Sequence, residues 1–128
     1  MSENNPYILE NENVSVDLSM LYEISGGDEE YINIVVKTFL NTMPENLQKI
    51  EQGIQNQNWE DVYKSAHYVK SPLSVIKVSE MFEWVLQVES GALNKTFLEV
   101  LPGLVQKLKQ KFDFAEVILH QKLGQNVQ

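Results

Sequence analysis

Four stretches of this chain repeat apolar residues at helical spacing, and no strand pattern competes with them. The stripes are Ile32, Val35, Val36, Phe39, Met43, Leu47 and Ile50, then Trp59, Val62, Ala66, Val69 and Leu73, then Met81, Trp84, Val85 and Val88, and last Phe97, Leu101, Leu104, Leu108, Phe112, Ala115 and Leu119. Each stripe covers one face of a helix and leaves the other face polar, so no helix can bury its stripe alone. Joined by connections of a few residues, the four are expected to pack antiparallel as an all-α, up-down four-helix bundle, with a short additional N-terminal helix as a lid.

Caps and breakers set the boundaries. Residues 1–14 read as a loose polar tail on which only Tyr7, Ile8 and Leu9 could dock, and residues 15–124 as the bundle. Asp17 is placed to cap the short helix, with Leu18, Leu21 and Tyr22 facing inward and Gly26-Gly27 ending it. Asp28 caps the next helix, and Glu29 and Glu30 favour its positive end. That helix runs to about Gln55, with a kink expected near Asn41 because Pro44 removes a backbone donor, and with Thr42 and Glu45 placed to recap the broken turn. Asn58 caps the helix that follows, whose last turn Pro72 threatens. The fourth long segment should start between Lys77 and Ser79 and stop at Gly91. Asn94 is the expected cap of the last helix, which continues to about Leu123 with Pro102 distorting its start.

The chain holds 128 residues and no cysteine, which excludes disulfides, thiol catalysis and thiolate metal sites. Its formal charge is −8, and all ten basic residues are lysine. Without arginine there is no planar fork to read bases or clamp phosphates, so nucleic acid is a poor partner. No run approaches the ~18 apolar residues of a membrane span, and the N-terminus is acidic rather than basic and apolar. A cytoplasmic monomer with no membrane association is expected.

His67 breaks this bland pattern. It lies on the helix of Trp59 to Leu73, well off the centre of the apolar stripe, so it should be exposed near the middle of that helix. Lys70 stands one turn on, at the border of the stripe, and Lys64 and Lys77 fall within about three turns, gathering positive charge in an acidic protein. An exposed imidazole is partly neutral and nucleophilic near neutral pH, and phosphoryl transfer asks mainly for in-line approach and charge neutralisation. Ser71, small and hydroxyl-bearing, leaves room for a partner surface. Tyr63, Lys64 and Ser74 are candidate contact residues beside it. His120, the second histidine, has no carboxylate or cysteine set at metal spacing and reads as surface. Trp59 and Trp84 follow the apolar stripes as core anchors.

Ala66-His67 through Lys70 resembles the active helix of the histidine-containing phosphotransfer (HPt) family, which reads Ala-His-x-hydrophobic-Lys-Gly. The resemblance runs from Val16 to Leu123, with Val16-Asp17-Leu18, Gly26-Gly27-Asp28, Phe39, Pro44, Leu47 and Asn58-Trp59-Glu60 in order and at the family's spacing. It implies that His67 is the phosphoacceptor and Lys70 the charge-stabilising residue. Glu89, twenty-two residues beyond the histidine, holds the place where the family has glutamine or glutamate near the phosphoryl site. By this resemblance the chain is a phosphoryl carrier of a two-component phosphorelay, with no ATP site and no cofactor of its own. Its partners are response-regulator receiver domains, those of a hybrid sensor histidine kinase among them, and the receiver supplies any magnesium. Three departures stand out: Ser71 replaces the usual glycine, Pro72 enters a turn normally free of proline, and Lys77 replaces a second glycine. They support an alternative, a silent helical adaptor that keeps the bundle without the chemistry. A two-helix dimerisation module fits less well, because four helices already close the core.

Overall fold

The computed structural model describes residues 5–125. Four long helices close a ring around one core: α2 (Glu29–Gln55) and α4 (Met81–Asn94) each pack on both α3 (Trp59–Val75) and α5 (Leu101–Gln125), in the antiparallel order expected from the stripes. The short α1 (Ser19–Ser25) lies on α2. The stripe residues Ile32, Val36, Phe39, Met43, Leu47 and Ile50 meet Val62, Ala66, Val69 and Leu73, with Val85, Val88, Leu104, Leu108, Phe112 and Leu119 opposite, all buried. Each such large side chain contributes about 1.5–3 kcal/mol relative to exposure, so packing carries the fold.

A small sheet was not anticipated. Strands β1 (Ile8–Glu10), β2 (Ser15–Asp17) and β3 (Lys77–Val78) pair antiparallel in that order, with Leu9 opposite Val16 and Val16 opposite Val78. Residues 1–4 of the expected tail lie outside the described residues. From Ile8 onward the segment builds the ribbon, because Val14, Val16 and Leu18 alternate inward at a period of two and are all buried. The pairing also displaces two boundaries. Asp17 belongs to β2, so Leu18 occupies the cap position of α1, although the Asp17 carboxylate still accepts from the Ser19 amide at 2.9 Å. Lys77 and Val78 form β3, so α4 starts at Met81.

Helix ends otherwise obey local chemistry. Gly26 stops α1 in the left-handed region at φ 65°, Asp28 accepts from the amides of Glu30 and Tyr31, and Asn58 accepts from Asp61. Gly53, the other glycine its site requires, lies where α2 meets α3: a Cβ there would come within 2.7 Å of Val62 Cγ2. Pro44 and Pro72 leave α2 and α3 continuous in assignment. Thr42 does not recap a broken turn, since its hydroxyl donates to the Thr38 carbonyl at 2.8 Å, and Glu45 stays within the helix as an exposed residue.

The last connection departs most from expectation. α4 runs past Gly91 to Asn94, because Gly91 is buried in close contact with Leu101 and so serves packing rather than termination. Asn94 donates to Ser90 Oγ instead of capping α5. Phe97 adopts φ 52° ahead of a 3₁₀ turn at Leu98–Val100, which turns its ring outward to 73 % exposure rather than into the core. Pro102, second in α5, sits where a helix needs no donor. Trp59 and Trp84 are half-buried rather than central, and Lys107 and Lys111 lie over the Trp84 ring. Among the described residues no helix is long and apolar enough to cross a membrane.

Candidate functional site

Burial of Val62, Ala66, Val69 and Leu73 fixes the rotation of α3 and so decides what the remaining positions face. His67 points outward with its side chain 59 % exposed. On α4, burial of Val85, Val88 and Ala92 turns Glu89 toward α3, where its carboxylate is only 13 % exposed. Glu89 Oε2 lies 2.5 Å from His67 Nδ1, and Lys70 Nζ donates to Oε1 at 3.1 Å and to Oε2 at 3.3 Å. One carboxylate thus joins the two α3 side chains that the sequence set one turn apart.

The electrostatics follow from this geometry. Partial burial pushes the Glu89 carboxyl up, but the hydrogen bonds from His67 and Lys70, together with their charge, outweigh it and hold the group below its ordinary value. Ionised, Glu89 can only accept, so Nδ1 must carry the hydrogen of the short contact. Among the described residues none hydrogen-bonds His67 Nε2. That nitrogen keeps its lone pair and faces solvent, which is the tautomer a nucleophilic imidazole requires. Tyr63 stacks on the ring from the preceding turn, centroids 5.7 Å apart at 27°.

The other expected contact residues are arranged less tightly. Lys64 is turned back to Glu60 at 3.4 Å on the exposed face. Ser74 donates to the Ser71 carbonyl at 2.6 Å. Lys77 lies on β3 beyond the helix. The positive cluster expected around His67 is therefore largely neutralised, because Lys64 and Lys70 each face a carboxylate. His120 is exposed, with Glu116 one turn back at 3.9 Å, a neighbour the sequence reading overlooked. Among the described residues no three His, Asp or Glu side chains are grouped to hold a metal ion.

Sequence reasoning missed a groove beside the site. Between α1, the first half of α2 and the second half of α3 lies an apolar depression of about 330 Å³, walled by Tyr31, Ile34, Tyr68, Ser71 and Pro72. Ile24, Tyr31, Ile34 and Tyr68 are all exposed around it. Such a contiguous apolar rim on an acidic chain marks an interaction surface more than a solvated face. Tyr31, Ile34 and Thr38 recur at helical spacing off the main stripe of α2, so a second stripe was legible there. Tyr68 and Ser71 bring the groove to within one turn of His67.

Comparison with known proteins gives a consistent result. The match to the Hpt domain family spans residues 35–113, more than half of the chain. The structure is similar to that of histidine-containing phosphotransfer protein B from Pseudomonas aeruginosa PAO1, with TM-score 0.76 and 18 % identity over 97 % of this chain and 100 % of that one. It is also similar to the HPT domain of a sensor hybrid histidine kinase from Shewanella, with TM-score 0.74 and 16 % identity over 88 % of this chain and 96 % of that one. Among curated proteins no sequence matches. At these identities the structural likeness speaks for the fold.

Proposed function

Because this chain belongs to the Hpt domain family and is a histidine phosphotransfer protein of a two-component phosphorelay, we propose that His67 is its phosphoacceptor and that receiver-domain aspartates are its donors and acceptors. The single observation that carries the assignment is the shared carboxylate: Glu89 engages Nδ1 and Lys70 together and leaves Nε2 open. In the forward step the Nε2 lone pair attacks the phosphorus of an aspartyl phosphate, and the P–O bond to the aspartate breaks with its electron pair leaving on that carboxylate. Lys70 stands close enough to shift part of its charge to the equatorial oxygens as they approach. Magnesium, where the reaction uses it, comes with the receiver.

The partner's docking face extends from His67 over Tyr68 and Ser71 into the groove of Tyr31 and Ile34. Its apolar rim suits the apolar face of a receiver helix, with Tyr63 on the other flank of the histidine. On this reading the chain acts in the cytoplasm as a monomeric carrier. The silent-adaptor alternative drew on Ser71, Pro72 and Lys77. Pro72 leaves α3 intact to Val75, Lys77 lies outside the helix, and Ser71 is exposed without covering the ring, so no observation favours that reading.

The test is transfer from a phosphorylated receiver to the purified chain, followed by assay of acid-labile phosphate. Labelling should vanish in His67→Gln and persist in His120→Gln. Labelling that survives loss of His67 would refute the assignment.

A further inference from the structure

We propose that Glu89 is a positioning residue that keeps the proton on Nδ1 of phosphorylated His67, so that the phosphohistidine stays transferable as pH rises through neutrality. The inference rests on His67 being the phosphoacceptor and concerns what happens after the group arrives. When Nε2 takes the phosphoryl group, the ring gains a positive charge and the proton on Nδ1 remains where it was. In the return step the P–N bond breaks, its electron pair goes back to Nε2, and a neutral imidazole leaves. Should the Nδ1 proton be lost first, the leaving group becomes an imidazolate and the phosphoryl group is stranded. The proton on Nδ1 therefore governs whether the carrier can discharge.

The structure places a suitable anchor for that proton. Glu89 Oε2 is 2.5 Å from Nδ1 on the side of the ring away from Nε2, and the carboxylate is mostly shielded from water. Lys70 at 3.1 Å supports its ionised form. An adjacent carboxylate stabilises the cationic ring, and low solvent access strengthens the interaction. The titratable groups that face the ring are Glu89 from α4 and, on α3 itself, Tyr63 and Lys70, with the Lys64–Glu60 pair one turn back. Only Glu89 supplies negative charge at hydrogen-bond distance. Because the proton need not be exchanged with water in either direction, this geometry suits a carrier that is loaded and unloaded by the same chemistry.

The test charges the intact chain with phosphoramidate, a small donor whose P–N bond breaks with loss of ammonia as the P–Nε2 bond forms, so no receiver is needed. Loss of the phosphoryl group to water is then followed by ³¹P NMR from pH 6 to pH 9 for the wild type and for Glu89→Gln, which retains the shape and removes the charge. An opposite charge at this distance displaces a titration by about 1–3 pH units. The decay of the wild type should therefore stay fast to about that much higher pH, and near pH 8 the variant's phosphohistidine should outlive it by roughly five- to tenfold. A purely structural role for Glu89 would change both rates without moving the pH midpoint. The ¹⁵N shift of Nδ1 in the phosphorylated wild type gives a second reading that depends on no variant: it should report a protonated nitrogen up to pH 8. Equal midpoints in the two proteins, or an Nδ1 that loses its proton as in a free phosphohistidine peptide, would overturn the inference while leaving His67 as the acceptor. Phosphoryl groups found only on other residues would overturn both.

Discussion

Replacing Lys70 with methionine separates what this lysine does for the fold from what it does for the reaction. The change removes both hydrogen bonds to Glu89, at 3.1 and 3.3 Å, and keeps the length of a side chain that is 30 % exposed. A partly exposed pair of this kind contributes about 0–1 kcal/mol to stability, and Glu89 keeps its bond from His67. With 1 kcal/mol worth about 3–5 °C for a domain of this size, Tm should fall by no more than a few degrees. The reaction should suffer more. A charge-assisted hydrogen bond to a phosphoryl oxygen contributes about 1.5–3 kcal/mol, and about 1.4 kcal/mol corresponds to a factor of ten. Since Lys70 already shares its charge with Glu89, the lower part of that range applies, and transfer should slow by roughly ten- to hundredfold without being abolished. Circular dichroism melting and single-turnover transfer from a phosphorylated receiver measure the two effects. An unchanged transfer rate, or a loss fully explained by unfolding, would refute the role given to Lys70.

Three further outcomes can be checked. Gly53→Ala should destabilise the bundle by about 1–2 kcal/mol in urea unfolding, because overpacking against Val62 costs about 1–3 kcal/mol while the helix gains about 1 kcal/mol from alanine. Hydrogen bonds from Lys109 and Gln106 hold the Glu51 carboxyl below its ordinary 4.5, as those from His67 and Lys70 do for Glu89 against the opposing effect of burial. Both groups therefore contribute stability that is present above pH 4.5 and lost as pH falls through their lower folded values, and Glu51→Gln should flatten the acid limb of a stability profile. Ile34→Glu, at an exposed site on the groove, should weaken receiver binding in calorimetry while leaving labelling by phosphoramidate and Tm unchanged; unaltered binding would place the docking face elsewhere.

The bundle was legible because its core is written at one period. Phe39, Val62, Leu108 and their stripe partners are buried where the spacing put them, and the caps at Asp28 and Asn58 depend on side chains that act within three residues. The ribbon was harder to read: β1 and β3 are three and two residues long, and their pairing joins segments about sixty residues apart that share no local signal. Val14, Val16 and Leu18 did carry a period of two, in a run too short to stand out against the helices. At the site, the exposure of His67 followed from helical rotation alone. The contact of Glu89 with both His67 and Lys70 did not, because it depends on how α4 is set against α3, and only the family resemblance pointed to that residue. Phe97 misled because it matches the α5 stripe in spacing, yet the backbone reverses just before that helix begins.

The most direct measurement locates the transferred phosphorus on a single atom. After charging by a phosphorylated receiver, a ³¹P–¹⁵N correlation spectrum of the labelled chain should show one phosphoryl group, bonded to Nε2 of His67, with Nδ1 still bearing its proton toward Glu89. A phosphoryl group on Nδ1, on His120 or on no histidine at all would contradict the site described.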